Sequence, residues 1–370
     1  MTRRYVVPWL TFLLMAIFST VFALELQYGL QPAGPGETPG VISLLSFGGL
    51  NWSLVRDGEL YRMLAAPFLH GSREHLVSNG IAFMLLGYSL ERQVGRAWFF
   101  CIFAAGGLAG SLLSVCLTPG SVGVGASGGI MAMMAARFLV TFRIPNSRAK
   151  MRSQWVTLVL LVLDTYPLFS GGGGHVDYGA HVGGAAFGLV VGILLLAGWR
   201  DSETLPPFRL EAAALAVAGV IGFASTGYAV VQNYPQYAPL AGQLLPVAQI
   251  PHTTKDMMAK ARQLSAKYPN DPLLRMMSAQ VKTAKGDYQG AEEDLRAGIK
   301  LDKGMVAIAY PTLDASIRAV YALLLHQEGR TPEAFKLAGP VCAGQGFDAV
   351  GPGLLGELRK ADLCGHTQAG

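Results

Sequence analysis

Seven apolar stretches of about 16 to 22 residues recur within residues 1–235, and no other feature constrains this chain as tightly. In hydrocarbon, every backbone N–H and C=O must find its partner inside its own segment, so such stretches fold as spanning helices. The expected spans run from Val6 to about Leu26, His75 to Leu90, Ala97 to Leu117, and Ser127 to about Phe142. Three more run from Gln154 to Phe169, Tyr178 to Trp199 and Leu210 to Val231. Only 14% of the residues are charged, against about 25% in soluble domains. A cleaved signal peptide ending at Val21-Phe22-Ala23 is the rival reading of the first stretch, which is long for a signal core of about 7–15 residues.

The basic residues give an orientation. Arg3 and Arg4, Arg92 and Arg96, Arg143–Arg152, and Arg200 with Arg209 alternate onto one side, which is then cytoplasmic. These loops contribute to the net charge of +5, which therefore does not argue for nucleic acid. Seven spans from a cytoplasmic amino terminus leave residues 250–370 outside. Four cysteines are too few for a disulfide scaffold. Cys101 and Cys116 read as buried small hydrophobes. An oxidising exterior permits a Cys342–Cys364 bridge, although sequence gives no distance between them.

Spans two, four and six all start on the outer side. His75, Asn79, Ser127 and His181 therefore share one side of the bilayer and roughly one depth, and His75 and Asn79, spaced i and i+4, share a helix face. Each has a plain alternative. Ser127 reads also as a helix cap or packing residue, His181 as a hydrogen-bonding group or part of a proton relay, and His75 with Asn79 as a mutually satisfied pair. Polar groups inside a bilayer are costly, so four at one level point to a functional cavity. On the residues alone, both a hydrolytic site and an ion or proton pathway remain open.

Gly125-Ala126-Ser127-Gly128 resembles the Gly-x-Ser-Gly motif of rhomboid intramembrane serine proteases. The resemblance extends to His75-x-x-x-Asn79, to Ala180-His181-x-x-Gly184-x-x-x-Gly188, to Tyr61-Arg62 where the family commonly has Trp-Arg, and to Glu91 with Gly95. It covers roughly residues 7–235. It implies acyl transfer to Ser127 with His181 as general base and then general acid, and no carboxylate in a triad. Asp164 and Asp177 are given no catalytic role. The resemblance assigns oxyanion stabilisation to His75, Asn79 and the Ser127 backbone N–H, and Gly184 with Gly188 suits close packing of spans six and four. Met131 stands where some members carry an aromatic residue against the catalytic imidazole.

The tail reads differently. Asp256–Tyr268 forms one amphipathic helix, and two antiparallel pairs follow, Leu273–Lys285 with Tyr288–Leu301 and Leu313–Gln327 with Pro332–Ala338. Gly286-Asp287 and Gly329-Arg330 stand in register at the two turns, which resembles degenerate tetratricopeptide repeats despite a spacing unlike their usual period of about 34 residues.

The expected architecture is all-α: a seven-span polytopic membrane helical bundle over 1–235, a linker over 236–249, and a soluble helical-repeat domain over 250–370. The expected function is intramembrane serine endopeptidase activity on transmembrane or membrane-proximal segments, in a bacterial inner or plasma membrane. A rhomboid-like adaptor without catalysis and a polytopic transporter are the alternatives. No cofactor or metal is expected, since no ligand pattern has metal spacing. Expected partners are transmembrane substrates, the lipid bilayer, and a protein partner held by the tail. The Ser170–Gly174 loop suits movement of span five or plain connection.

Overall fold

The computed structural model describes residues 7–143, 147–166, 176–200, 203, 206–251, 253–343 and 351–364. Regular structure among them is mainly helical, and Leu50 and Gly123 form an isolated antiparallel bridge. The chain divides into two compact units. The first comprises Met1–Gly29, Pro35–Pro39 and Ser43–Pro235, the second Leu30–Gly34, Gly40–Ile42 and Gln236–Gly370. Arg3, Arg4 and the Ser170–Gly174 loop lie outside the described residues.

Among the described residues, seven long helices build the first unit: α1 (Trp9–Tyr28), α2 (Arg73–Val94), α3 (Arg96–Leu117), α4 (Ser127–Val140), α5 (Arg148–Thr165), α6 (Tyr178–Gly198) and α7 (Arg209–Asn233). The seven helices differ in length and apolarity. The four stretches Trp9–Tyr28, Arg96–Leu117, Tyr178–Gly198 and Arg209–Gln243 are helical, long and apolar enough to cross a membrane. The other three helices give up apolarity or length. α2 opens on Arg73-Glu74-His75 and closes on Glu91-Arg92, α4 has 14 residues, and α5 opens with Arg148, Lys150 and Arg152.

Polar contacts show which helix ends meet. The Glu91 carboxylate at the end of α2 accepts the Thr11 N–H (2.8 Å) and hydroxyl (2.7 Å), so it caps α1, whose own N-cap is a proline without a side-chain bond. Trp98 donates to the Pro207 carbonyl (2.8 Å), and Arg143 to those of Trp199 and Arg200, joining the start of α3 to that of α7 and the end of α4 to that of α6. At the other end the Tyr234 hydroxyl donates to the Tyr28 carbonyl (2.5 Å), so α1 and α7 finish together. Consecutive helices thus run back and forth.

Small residues let the central helices touch. A Cβ on Gly184 would lie 2.7 Å from the Gly128 carbonyl carbon, and one on Gly188 would lie 2.7 Å from that of Ala132. On α3, Gly106 packs against Ala132 in the same way. Nearby, Phe18, Phe83, Phe99 and Phe103 form a buried cluster with edge-on ring contacts. Long apolar side chains elsewhere face outward, among them Ile81, Leu85, Val190, Ile193 and Leu215, as a lipid-facing surface requires. Cys116 also faces outward and Cys101 is only half-buried, which corrects the reading of both as buried hydrophobes: α3 is packed through its glycine stripe, and Cys116 lies off it.

The second unit packs α8 (Thr254–Lys267), α9 (Pro272–Ala284), α10 (Tyr288–Leu301), α11 (Leu313–Gln327), α12 (Thr331–Cys342) and α13 (Pro352–Lys360). Gly286 and Gly329 turn two helix pairs with positive φ (+81° and +76°), where glycine avoids the Cβ clash. Leu295, Ile317, Leu325, Ala334 and Leu358 share one core. Cys342 and Cys364 form a disulfide with their Cα atoms 5.4 Å apart. Glu292 accepts from Arg330 (2.9 Å), Tyr321 (2.5 Å) and Arg296 (2.6 Å), and the Arg330 bond leads in holding its carboxyl down at about 2.

Asp302 is the counter-example. One of its carboxylate oxygens is buried without a partner among the described residues, and burial, helped by the Asp314 charge, pushes its carboxyl up to about 6. The unfolded chain titrates this group near 4, so its contribution to stability is present at low pH and is lost as pH rises from about 4 to about 6. Asp302→Asn should therefore stabilise the unit at pH 7 by on the order of 1–3 kcal/mol and leave it unchanged at pH 4. Amide exchange in α10 and α11 of the whole protein, variant against wild type at each pH, reads this directly; equal protection at pH 7 would refute it.

Candidate active site

The site is built from a glycine outward. Leu50 and Gly123 exchange backbone hydrogen bonds (2.9 and 2.8 Å), and the Gly125 N–H donates to the Ala66 carbonyl (2.9 Å), which fixes the strand-like approach to α4. Gly125 has φ +121°, and a Cβ there would lie 2.8 Å from Nε2 of His75 and 3.3 Å from Nδ2 of Asn79. Only glycine satisfies both the backbone angle and the space. His75 and Asn79 thus stand against the residue two places ahead of Ser127. They lie one turn apart on α2, which begins at Arg73 because the Ser72 side chain accepts the His75 N–H (3.1 Å).

Asn79 is 8% exposed, and its Nδ2 has no hydrogen-bond partner among the described residues. The mutual satisfaction of His75 and Asn79 therefore does not occur. A buried donor left unmade costs about 1–3 kcal/mol, and it asks for an acceptor that arrives from elsewhere. Ser127 is the first residue of α4, where no side chain caps the helix. The first N–H groups of a helix lack internal acceptors and carry its positive dipole end, so Ser127 sits at a built-in anion site.

His181 lies in the first turn of α6 and is 9% exposed. Its Nδ1 is 2.9 Å from the Asp164 backbone carbonyl. A carbonyl only accepts, so Nδ1 carries the proton and Nε2 keeps a free lone pair. The Tyr178 ring meets the imidazole edge-on with centroids 6.0 Å apart. Asp177 caps α6, accepting the Ala180 N–H (2.9 Å) and the Ser114 hydroxyl (2.5 Å). The Gly128 α-carbon faces the Ala180 carbonyl closely enough that a Cβ there would lie 3.2 Å from its oxygen. Ser127 and His181 each adjoin a residue of this contact, and Gly184 and Gly188 continue it along α6.

The structure thus brings α4 and α6 together at the residues flanking Ser127 and His181, and sets His75 and Asn79 beside Gly125. Met131 is buried on α4. It packs with Met134, Ala135, Leu161 and Ala185, and Tyr178 supplies the aromatic contact to the imidazole. Sequence reasoning also missed the Asp164 carbonyl, a backbone group without any sequence signature. Arg62, within the Tyr61-Arg62 motif, is wholly buried and donates to the Leu45 and Gly49 carbonyls (2.8 Å each) and to Glu59 (2.6 Å). It thereby ties down the segment that holds Leu50. In the sequence Arg62 is marked by the Tyr61-Arg62 resemblance, which gave it no structural role.

Fold and site together define a helical membrane protein with a polar centre built between its helices. Residues 57–198 match the rhomboid domain. Over 179 residues the chain is 32% identical to RHOMBOID-like protein 5 of Arabidopsis thaliana, covering 46% of this chain and 56% of that protein. It is 28% identical over 179 residues to Rhomboid-like protease 1 of Toxoplasma gondii, covering 47% and 60%. It is 27% identical over 217 residues to Rhomboid protease GluP of Bacillus subtilis, covering 58% and 40%. These matches support the rhomboid family and an integral membrane protein. The chain spans about half the length of the curated relatives it matches.

Proposed function

We propose that this chain is an intramembrane serine endopeptidase. The observation that carries the reading is the buried, unpartnered Asn79 amide beside Gly125, two residues ahead of a serine that opens a helix. Ser127 Oγ attacks the scissile carbonyl while His181 Nε2 takes its proton. The Asp164 carbonyl holds the imidazole in the tautomer this requires. The oxyanion is received by the Ser127 N–H, Asn79 Nδ2 and His75. His181 then protonates the leaving amine, and water releases the acyl group. Two relatives are named as proteases, which favours this reading over an adaptor. A helix of 14 residues rises about 21 Å, less than a bilayer core of about 30 Å, so Ser127 lies below the membrane surface. Substrates are then transmembrane helices that unwind near that face. A fluorophosphonate probe should label the purified protein in detergent, and Ser127→Ala should prevent the labelling; undiminished labelling of that variant would overturn the assignment.

The basic helix ends face the cytoplasm, and the site and the second unit face outward, where the unit presents its helix pairs as a repeat-like surface for a substrate or adaptor. The shared end of α1 and α7 and the Cys342–Cys364 disulfide support this. With Cys101 and Cys116 replaced by alanine, a cysteine introduced at Ser278 should react with a membrane-impermeant thiol reagent on intact cells. Reaction only after lysis would put the unit in the cytoplasm.

A further inference from the structure

The buried face of α1 carries Thr11, Leu14, Phe18, Phe22 and Glu25. Thr11 meets the Glu91 carboxylate, and the three apolar residues fill the core. Glu25 fits neither pattern. It is 1% exposed, one of its carboxyl oxygens has no partner among the described residues, and the other accepts the His70 N–H at 3.4 Å. It also stands in the last turn of its helix, the negative end of the dipole, where an acid is disfavoured. His70 is wholly buried as well, and neither of its ring nitrogens has a partner among the described residues. An apolar pair would fill the same space without leaving three polar atoms unmade. The fold does not require these two residues, and ionisable groups buried in a membrane bundle mark function.

Their neighbours say which function. The His70 ring meets Phe18 of α1 and His75 of α2 edge-on, with centroids 5.9 and 5.3 Å away. His75 in turn stands against Gly125, closely enough that a Cβ there would lie 2.6 Å from its Cε1. His70 also lies two residues ahead of Ser72, whose side chain accepts the His75 N–H (3.1 Å) and so starts α2. Glu25 thus holds the backbone that leads into α2, and the His70 ring supports the His75 ring. We propose that Glu25 is a positioning residue for the oxyanion site: through His70 it keeps His75 in place against Gly125. This rests on the endopeptidase reading, in which His75 serves the oxyanion. A donor stabilises developing charge only if it is in place beforehand, and a displacement of about 1 Å costs about 100-fold in rate. Glu25 touches His70 and not the reacting atoms, so its effect on the chemistry passes through His75.

The test uses the full chain in detergent and a quenched transmembrane peptide. Glu25→Leu removes the acceptor and should lower kcat about 10- to 100-fold at unchanged KM. Glu25→Gln keeps a carbonyl acceptor of the same reach and should stay within about threefold of wild type. In a His75→Ala background Glu25→Leu should cost nothing further, whereas a merely structural role would multiply the losses. His70→Ala deletes the supporting ring; it should match Glu25→Leu and takes its place if that variant fails to fold. Undiminished kcat in both variants, a change confined to KM, a Gln variant as slow as the Leu variant, or a full further loss in the His75→Ala background would overturn the proposal. Absence of both peptide cleavage and fluorophosphonate labelling in wild type would instead refute the nucleophile, a distinguishable failure that takes this inference with it.

Discussion

Ser127→Ala should lower kcat for a transmembrane model substrate by a factor on the order of 10⁴ or more, and His181→Ala by a similar factor. The pair acts as a unit, so the double variant should be no slower than either single one. That non-additivity separates a dyad from two independent contributors, whose losses would multiply. Neither loss should come from unfolding. Ser127 makes no side-chain cap bond to α4, so alanine removes little from the fold. His181 gives up one bond to the Asp164 carbonyl, which is worth about 1 kcal/mol. The glycine contact between α4 and α6 is made by backbone and survives both changes. Cleavage by either variant at the wild-type rate would sink the mechanism, as would a double variant slower than both singles by their product.

What was legible in the sequence was what periodicity and parity determine. Apolar length gave the long helices, and basic loops gave their alternation. Together these put His75, Asn79, Ser127 and His181 at one end of the bundle before any contact was known. The glycines of α6 were legible too, because at four-residue spacing they form one face with nothing to fill it. Illegible were the groups whose role belongs to the backbone or to burial. The Asp164 carbonyl holds the imidazole, yet any residue at that position would offer the same atom. Tyr178 meets the ring edge-on, because the first turn of α6 carries both side chains. Arg62 is an arginine at zero exposure, which composition alone assigns to the surface; three carbonyl and carboxylate partners make its burial tolerable. Cys116 shows the opposite error. In a membrane protein an apolar residue on an apolar helix faces lipid as readily as the core.

Asn79→Ala should lower kcat by about 100- to 1000-fold, as removal of an oxyanion donor does, and should change KM little. The argument begins with what Asn79 does not do. Its Nδ2 is buried and donates to no group among the described residues, so alanine breaks no bond of that amide and removes a desolvated donor that costs the fold about 1–3 kcal/mol. Stability should therefore hold or rise as activity collapses, the signature of a group retained for function at the expense of the fold. A bond made only when the carbonyl oxygen becomes negative acts on the transition state alone, so the loss falls on kcat and kcat/KM together. His75 against the same glycine provides an internal comparison. His75→Ala should lower kcat as well, and the two losses together should not exceed what one shared oxyanion can forfeit. Thermal unfolding in detergent and steady-state kinetics on one preparation decide the matter. A rise in KM at unchanged kcat would make Asn79 a substrate-binding residue, and a lower melting temperature with intact kcat would make it structural.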